Sequence, residues 1–196
     1  MTLPTRLAAA IAALLFSASL ASAQATLTEA DIIKSLAGSG PAMQAAGFDV
    51  AAIQKALFER IQVEGTESAA QPMPVLQALS KYPNLTIQVE FDFDSDWIRP
   101  ASWETVGLIA DGLHHPLLLS DRFAVIGHTD AKGSRDYNLK LSQRRAEAVM
   151  DMLVSTFRVP PDQLVALGVG EEQPADPANP DAAINRRVQL INIGPR

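Results

Sequence analysis

The stretch Phe123-Ala124-Val125-Ile126-Gly127 is an apolar run that stops in a polar turn, His128-Thr129-Asp130-Ala131-Lys132-Gly133-Ser134, and the turn leads directly into a long helical pattern. A strand that feeds a helix of this length needs a partner strand beyond it, because the helix must bring the chain back to the sheet. Those partners are legible. Residues 85–93 alternate apolar and polar side chains as a half-buried strand does, and 164–169 and 187–193 are further strands. Helices are expected at 101–112 and 136–157. Strands alternating with helices predict a sheet with its crossover helices packed on one face.

With 196 residues the chain has room for one domain of ordinary size and an extra segment. A net charge of -6 excludes nucleic acid as the main partner, since phosphate binding needs a clustered basic surface. Residues 1–23 carry Arg6, then an uncharged stretch from Leu7 to Leu20, then Ala21-Ser22-Ala23. This is the secretory signal pattern, with an apolar run too short to span a bilayer as a helix. The chain has no cysteine, so neither disulfides nor an N-terminal lipid-bearing cysteine is available. Residues 24–80 read as an Ala-rich helical accessory segment, with a capped start at Thr28, helices at 50–61 and 73–79, and breaks at Gly38-Ser39-Gly40-Pro41 and Gln71-Pro72-Met73-Pro74. The segment packs on the main domain or links to it, and residues 81–196 form that domain.

The turn and its helix carry the chemistry. On a helical wheel Leu139, Ala146, Met150, Leu153 and Phe157 form a core-facing stripe. Asn138 and Arg145 share a flank beside it, where a bound group would be partly shielded, whereas Arg144 points away. If the turn folds back, Asp130 meets that flank. A carboxylate, an amide and a guanidinium converging on one cleft suit an amino-acid head group, with the carboxylate taking its ammonium and the guanidinium its carboxylate. A direct structural ion pair between Asp130 and Arg145 accounts for the same residues equally well.

The ordered set Phe91-Asp92-Phe93-Asp94-Ser95, Gly127-His128-Thr129-Asp130, Gly133, Tyr137-Asn138, Leu141-Ser142, Arg145-Ala146, Gly168-Val169-Gly170-Glu171, Pro174 and Asn185-Arg186-Arg187-Val188 resembles the signature of the OmpA-like family of periplasmic, peptidoglycan-binding domains. The resemblance implies an α+β fold, a βαβαββ mixed sheet with helices on one face, preceded here by the short helical segment. It implies that Asp130 and Arg145 clamp the zwitterionic end of meso-diaminopimelate in the peptide stem, supported by Asp94, Thr129, Asn138 and Arg186. It also implies binding without catalysis, no cofactor and no metal, in the periplasm, with peptidoglycan as partner and outer-membrane or envelope proteins as further candidates. Many relatives carry a barrel, a lipidated cysteine or a membrane anchor, none of which is visible here.

Two other readings use the same residues. A protein-binding adaptor without wall affinity needs only the fold. A metal-dependent wall hydrolase would use His128 and Asp130, but His114 and His115 are adjacent and diverge by about 100° on a helix, which leaves that site short of ligands. His128 is expected to bond within the turn. Lys132, Arg135 and Lys140 read as a solvated face, 174–180 as an exposed loop, and Trp97 as a core residue or a lip on the cleft.

Overall fold

The computed structural model describes residues 27–38, 48–64 and 73–196, so the leader and the two breaks near Gly40 and Pro72 lie, wholly or in part, outside the described residues. Four strands, β1 (Asn84–Ile87), β2 (Asp121–Gly127), β3 (Leu164–Gly168) and β4 (Val188–Pro195), form one sheet in the order β1-β4-β2-β3. The helices are α1 (Glu29–Leu36), α2 (Val50–Glu64), α3 (Pro74–Leu79), α4 (Trp103–Leu113) and α5 (Arg135–Ser155). β2 and β3 are parallel and joined through α5, while β4 runs antiparallel to β1 and to β2. From β1 onward the order is therefore βαβαββ, in an α+β mixed sheet.

The period-two geometry of a strand splits β2 between two cores. Phe123 and Val125 face one side with Leu164, Ala166, Val188 and Leu190, under Val106, Ile109 and Leu113 of α4 and Ala146, Val149 and Leu153 of α5. Ile32 and Leu36 of α1 close the same core. Ala124 and Ile126 face the other side with Leu167, Val169, Ile191 and Ile193. That side is covered by Ile53, Leu57 and Ile61 of α2 and Leu76 and Leu79 of α3. A strand covered on both faces reads as a continuous apolar run, which explains why β2 does not alternate. Residues on both sides of Ser80 thus share a core, and each aliphatic side chain buried there contributes about 1.5–3 kcal/mol.

Two glycines let α5 lie against the ends of β2 and β3. A Cβ on Gly127 would sit 2.2 Å from the Ser142 carbonyl oxygen, and one on Gly168 would sit 2.2 Å from the Gln143 nitrogen. Those contacts hold the segment from Asn138 to Arg145 over the strand ends.

The first strand is shorter than its alternating pattern suggests. Regular pairing ends at Ile87, and the chain turns back on itself so that Phe91 bridges Ile98. The Glu90 N–H donates to Ser102 Oγ, the Arg99 N–H to Glu90 O and the Asp92 N–H to Trp97 O. Asp94 takes φ 53° at the tip, a conformation that Asp tolerates better than most residues and that reverses the chain.

Arg135 is not part of a solvated face. Its Nε and Nη2 donate to Glu172 Oε1 and Oε2, both at 2.8 Å, with side chains only 4% and 1% exposed. Arg60 of α2 reaches within 3.8 Å of the same carboxylate, joining the N-terminal helices to the start of α5. Ser134 caps that helix through Tyr137 N–H.

Candidate functional site

The turn after β2 is fixed by its neighbours. Thr129 N–H donates to Gly170 O beyond β3, Ala131 N–H to Pro180 O and His128 N–H to Arg187 O. The loop at 174–180 is itself pinned, because Asn185 Nδ2 donates to Asn179 O and Pro180 O while Asn185 Oδ1 accepts from Asp176 N–H. Asn185 thereby places the next residue, Arg186, beside the turn.

Asp130 and Arg145 do not pair with each other. Asp130 Oδ2 accepts from Arg186 Nη1 at 2.6 Å, with the Asp130 side chain 11% exposed and that of Arg186 47% exposed. Arg145 donates from Nε to Ser95 O at 3.0 Å, and its guanidinium lies 4.8 Å from the Phe91 ring centroid. Among the described residues no carboxylate lies within ion-pairing distance of Arg145, and its two terminal nitrogens donate no hydrogen bond. Burial, then repulsion from Arg186, lowers its pKa from the ordinary arginine value, with Asp130 and Asp94 opposing. A half-buried cation with an uncommitted fork is the main electrostatic feature of the site.

The supporting residues gather around this pair. Asn138 Nδ2 donates to Asp130 O at 3.2 Å and also to Glu171 Oε2. Burial raises the Glu171 pKa, which the Asn138 hydrogen bond partly offsets. Asp94 accepts from the Tyr137 hydroxyl across from the loop tip. Thr129 is buried, and its Oγ1 has no hydrogen-bond partner. His128 is likewise buried, and its backbone N–H donates to Arg187 O just before β4 rather than within the turn, so the bond expected there is not made. Burial, and then Arg187, push its pKa well below the ordinary histidine value. Burial also lowers the Arg187 guanidinium to about 10.

Arg145 and Arg186 line a cleft of about 310 Å³ with Gln88, Glu90, Phe91 and Arg99. Arg99 is a cleft residue that the sequence did not single out. It sits 3.7 Å from Glu90 and 3.4 Å from Asp92. Its one available signal was its place after the turn that reverses the chain. Arg144 behaves as the wheel predicts, 44% exposed and 3.8 Å from Asp96. Trp97 is 64% exposed, outside the core, because the reversal at Asp94 carries it to the surface.

The OmpA family profile matches residues 90–187, half of the chain, and takes in Asp94, Thr129, Asp130, Asn138, Arg145 and Arg186. Outer membrane porin F of Pseudomonas aeruginosa is 39% identical over 115 residues, 57% of this chain and 32% of that protein. The peptidoglycan-associated lipoprotein of Pseudomonas putida is 36% identical over 102 residues, 51% of this chain and 59% of that protein. The chain therefore spans less than two thirds of the length of either. Among solved structures, the peptidoglycan-associated lipoprotein from Burkholderia pseudomallei matches with 34% identity and a TM-score of 0.45, over 58% of this chain and 92% of that one.

Proposed function

The chain belongs to the OmpA family, and on that premise we propose that it binds peptidoglycan non-covalently in the periplasm, gripping the diaminopimelate of the peptide stem and catalysing nothing. The observation that carries this reading is the Arg145 fork, half-buried and without a carboxylate partner beside a second cation. An arginine in that state favours an incoming carboxylate, which it receives by paired hydrogen bonds. Asp130 supplies the opposite charge. Its Oδ2 is taken by Arg186 and its Oδ1 makes no hydrogen bond, which leaves an acceptor for the ligand's ammonium. Thr129, whose buried hydroxyl has no partner among the described residues, is the residue before Asp130 in the turn.

A diamino diacid carries an ammonium and a carboxylate on one carbon at the end of its side chain, and these match Asp130 and Arg145. A lysine-type stem has the ammonium alone. A curated relative is named peptidoglycan-associated lipoprotein, which agrees with this chemistry. In this reading the protein contributes to envelope organisation by holding the wall. Co-sedimentation of the exported protein with purified diaminopimelate-type sacculi tests it: the wild type sediments, and Arg145→Ala and Asp130→Ala remain in the supernatant while still folded by circular dichroism. Retention of both variants on the wall would overturn the clamp.

A further inference from the structure

A second cavity of about 310 Å³ lies beside the clamp, lined by Asp96, Trp97, Ile98, Trp103, Asp151 and Met152. Its indoles are exposed, Trp97 at 64% and Trp103 at 46%. They are also the chain's 2 tryptophans. Trp103 is oriented by a hydrogen bond from Nε1 to Ile98 O, and the Trp97 backbone N–H is held by Ser95 Oγ.

We propose that this groove is a subsite for the glycan strand to which the stem peptide is attached, with the indoles stacking on sugar rings and Asp96 and Asp151 accepting from hydroxyl or amide groups. The inference rests on the stem-binding reading above. A pyranose presents an apolar C–H face bordered by donors, and a lining of aromatic planes edged by carboxylates complements both parts.

Continuity with the clamp argues for this occupant. The same turn walls both sites, because Ser95 O receives Arg145 while the next residues, Asp96 and Trp97, line the groove. α5 supplies the other wall of both. Ala148 and Met152 stand three and seven positions after Arg145 on the same flank, and both border the groove. At 1.5 Å per residue they lie about 4.5 and 10.5 Å further along the helix. Extended peptide covers about 3.3–3.6 Å per residue, so the two residues of a tripeptide stem between its diamino acid and the sugar span about 7 Å, between those two rises.

Isothermal titration with the disaccharide tripeptide and with the free tripeptide, read alongside tryptophan emission, tests the subsite. The wild type is expected to bind the disaccharide form about tenfold more tightly, equal to about 1.4 kcal/mol, with an emission shift that the free tripeptide does not produce. Trp97→Ala, at an exposed position, should bind the free tripeptide as the wild type does and lose the sugar-dependent gain. Trp103→Phe, which keeps the apolar volume, should lose part of it. Equal wild-type affinity for both ligands overturns the subsite and leaves the clamp standing, whereas no binding of either overturns both. An emission shift on phospholipid vesicles, or on self-association detected by sedimentation, with none on the disaccharide tripeptide, overturns the subsite in favour of that occupant.

Discussion

Arg135→Ala tests how the start of α5 is held. The variant removes both N–H donors from Glu172, a carboxylate whose side chain is 1% exposed and which accepts them at 2.8 Å. Breaking a buried ion pair from one side costs about 3–5 kcal/mol, since the remaining charge keeps its desolvation penalty. Arg60 stays 3.8 Å away, too far for a good hydrogen bond yet close enough to soften the loss, so a value near 3 kcal/mol is expected. In urea, with a slope of about 1–3 kcal/mol per molar, the unfolding midpoint falls by about 1–3 M. Replacing both partners, Arg135→Met with Glu172→Leu, should restore most of that stability because no charge is then stranded. A loss under about 1 kcal/mol for the single variant, or a double variant as damaged as the sum of the two singles, would refute the reasoning.

Further outcomes follow from the packing and the buried groups. Gly127→Ala should cost about 3 kcal/mol by chemical denaturation, because its Cβ meets the Ser142 carbonyl at 2.2 Å and α5 must shift; an unchanged midpoint would contradict the close approach. A chain beginning at Ser80 keeps Asp130, Arg145 and Arg186 but uncovers Ile126, Leu167, Ile191 and Ile193, and should lose at least about 5 kcal/mol. An equal melting temperature would show that the N-terminal helices are dispensable. His128 has a depressed folded-state pKa, so its neutral form contributes stability above 6.5 that is lost as pH falls toward the folded value. Wild type should therefore lose more stability per pH unit than His128→Gln as pH falls below 6.5, the difference in slope approaching about 1.4 kcal/mol per unit before the folded value is reached, and parallel pH profiles would contradict it.

Much of this was legible because it depends on short-range periodicity. The run at 123–127 and the unequal placing of Arg144 and Arg145 follow from strand and helix geometry alone, and the structure keeps them, whereas the stripe on α5 is divided: Ala146 and Leu153 enter one core, Leu139 the other, and Phe157 lies past the helix end. What escaped depends on contacts distant in sequence. The carboxylate that neutralises Arg135 comes from Glu172, 37 residues away, so a local charge pattern gave no sign of it. Arg186 joins Asp130 across 56 residues, a pairing that helical spacing could not show and that the family resemblance, which named Arg186 only as a supporting contact, did not specify. β1 fell short of its alternating pattern because the reversal at Asp94 overrides local β preference. The same reversal exposes Trp97, whose size alone suggested the core.

The most direct measurement is titration of the wild type, Arg145→Ala and Arg144→Ala with stem peptides that differ only in diaminopimelate or lysine. The clamp predicts that the wild type binds the diaminopimelate peptide at least about 30-fold more tightly than the lysine peptide, equivalent to about 2 kcal/mol for the lost bidentate contact. Arg145→Ala should lose the preference, and Arg144→Ala, whose charge is exposed, should keep it with a change under about 1 kcal/mol. Equal wild-type affinity for the two peptides, or a larger loss in Arg144→Ala than in Arg145→Ala, would contradict the account.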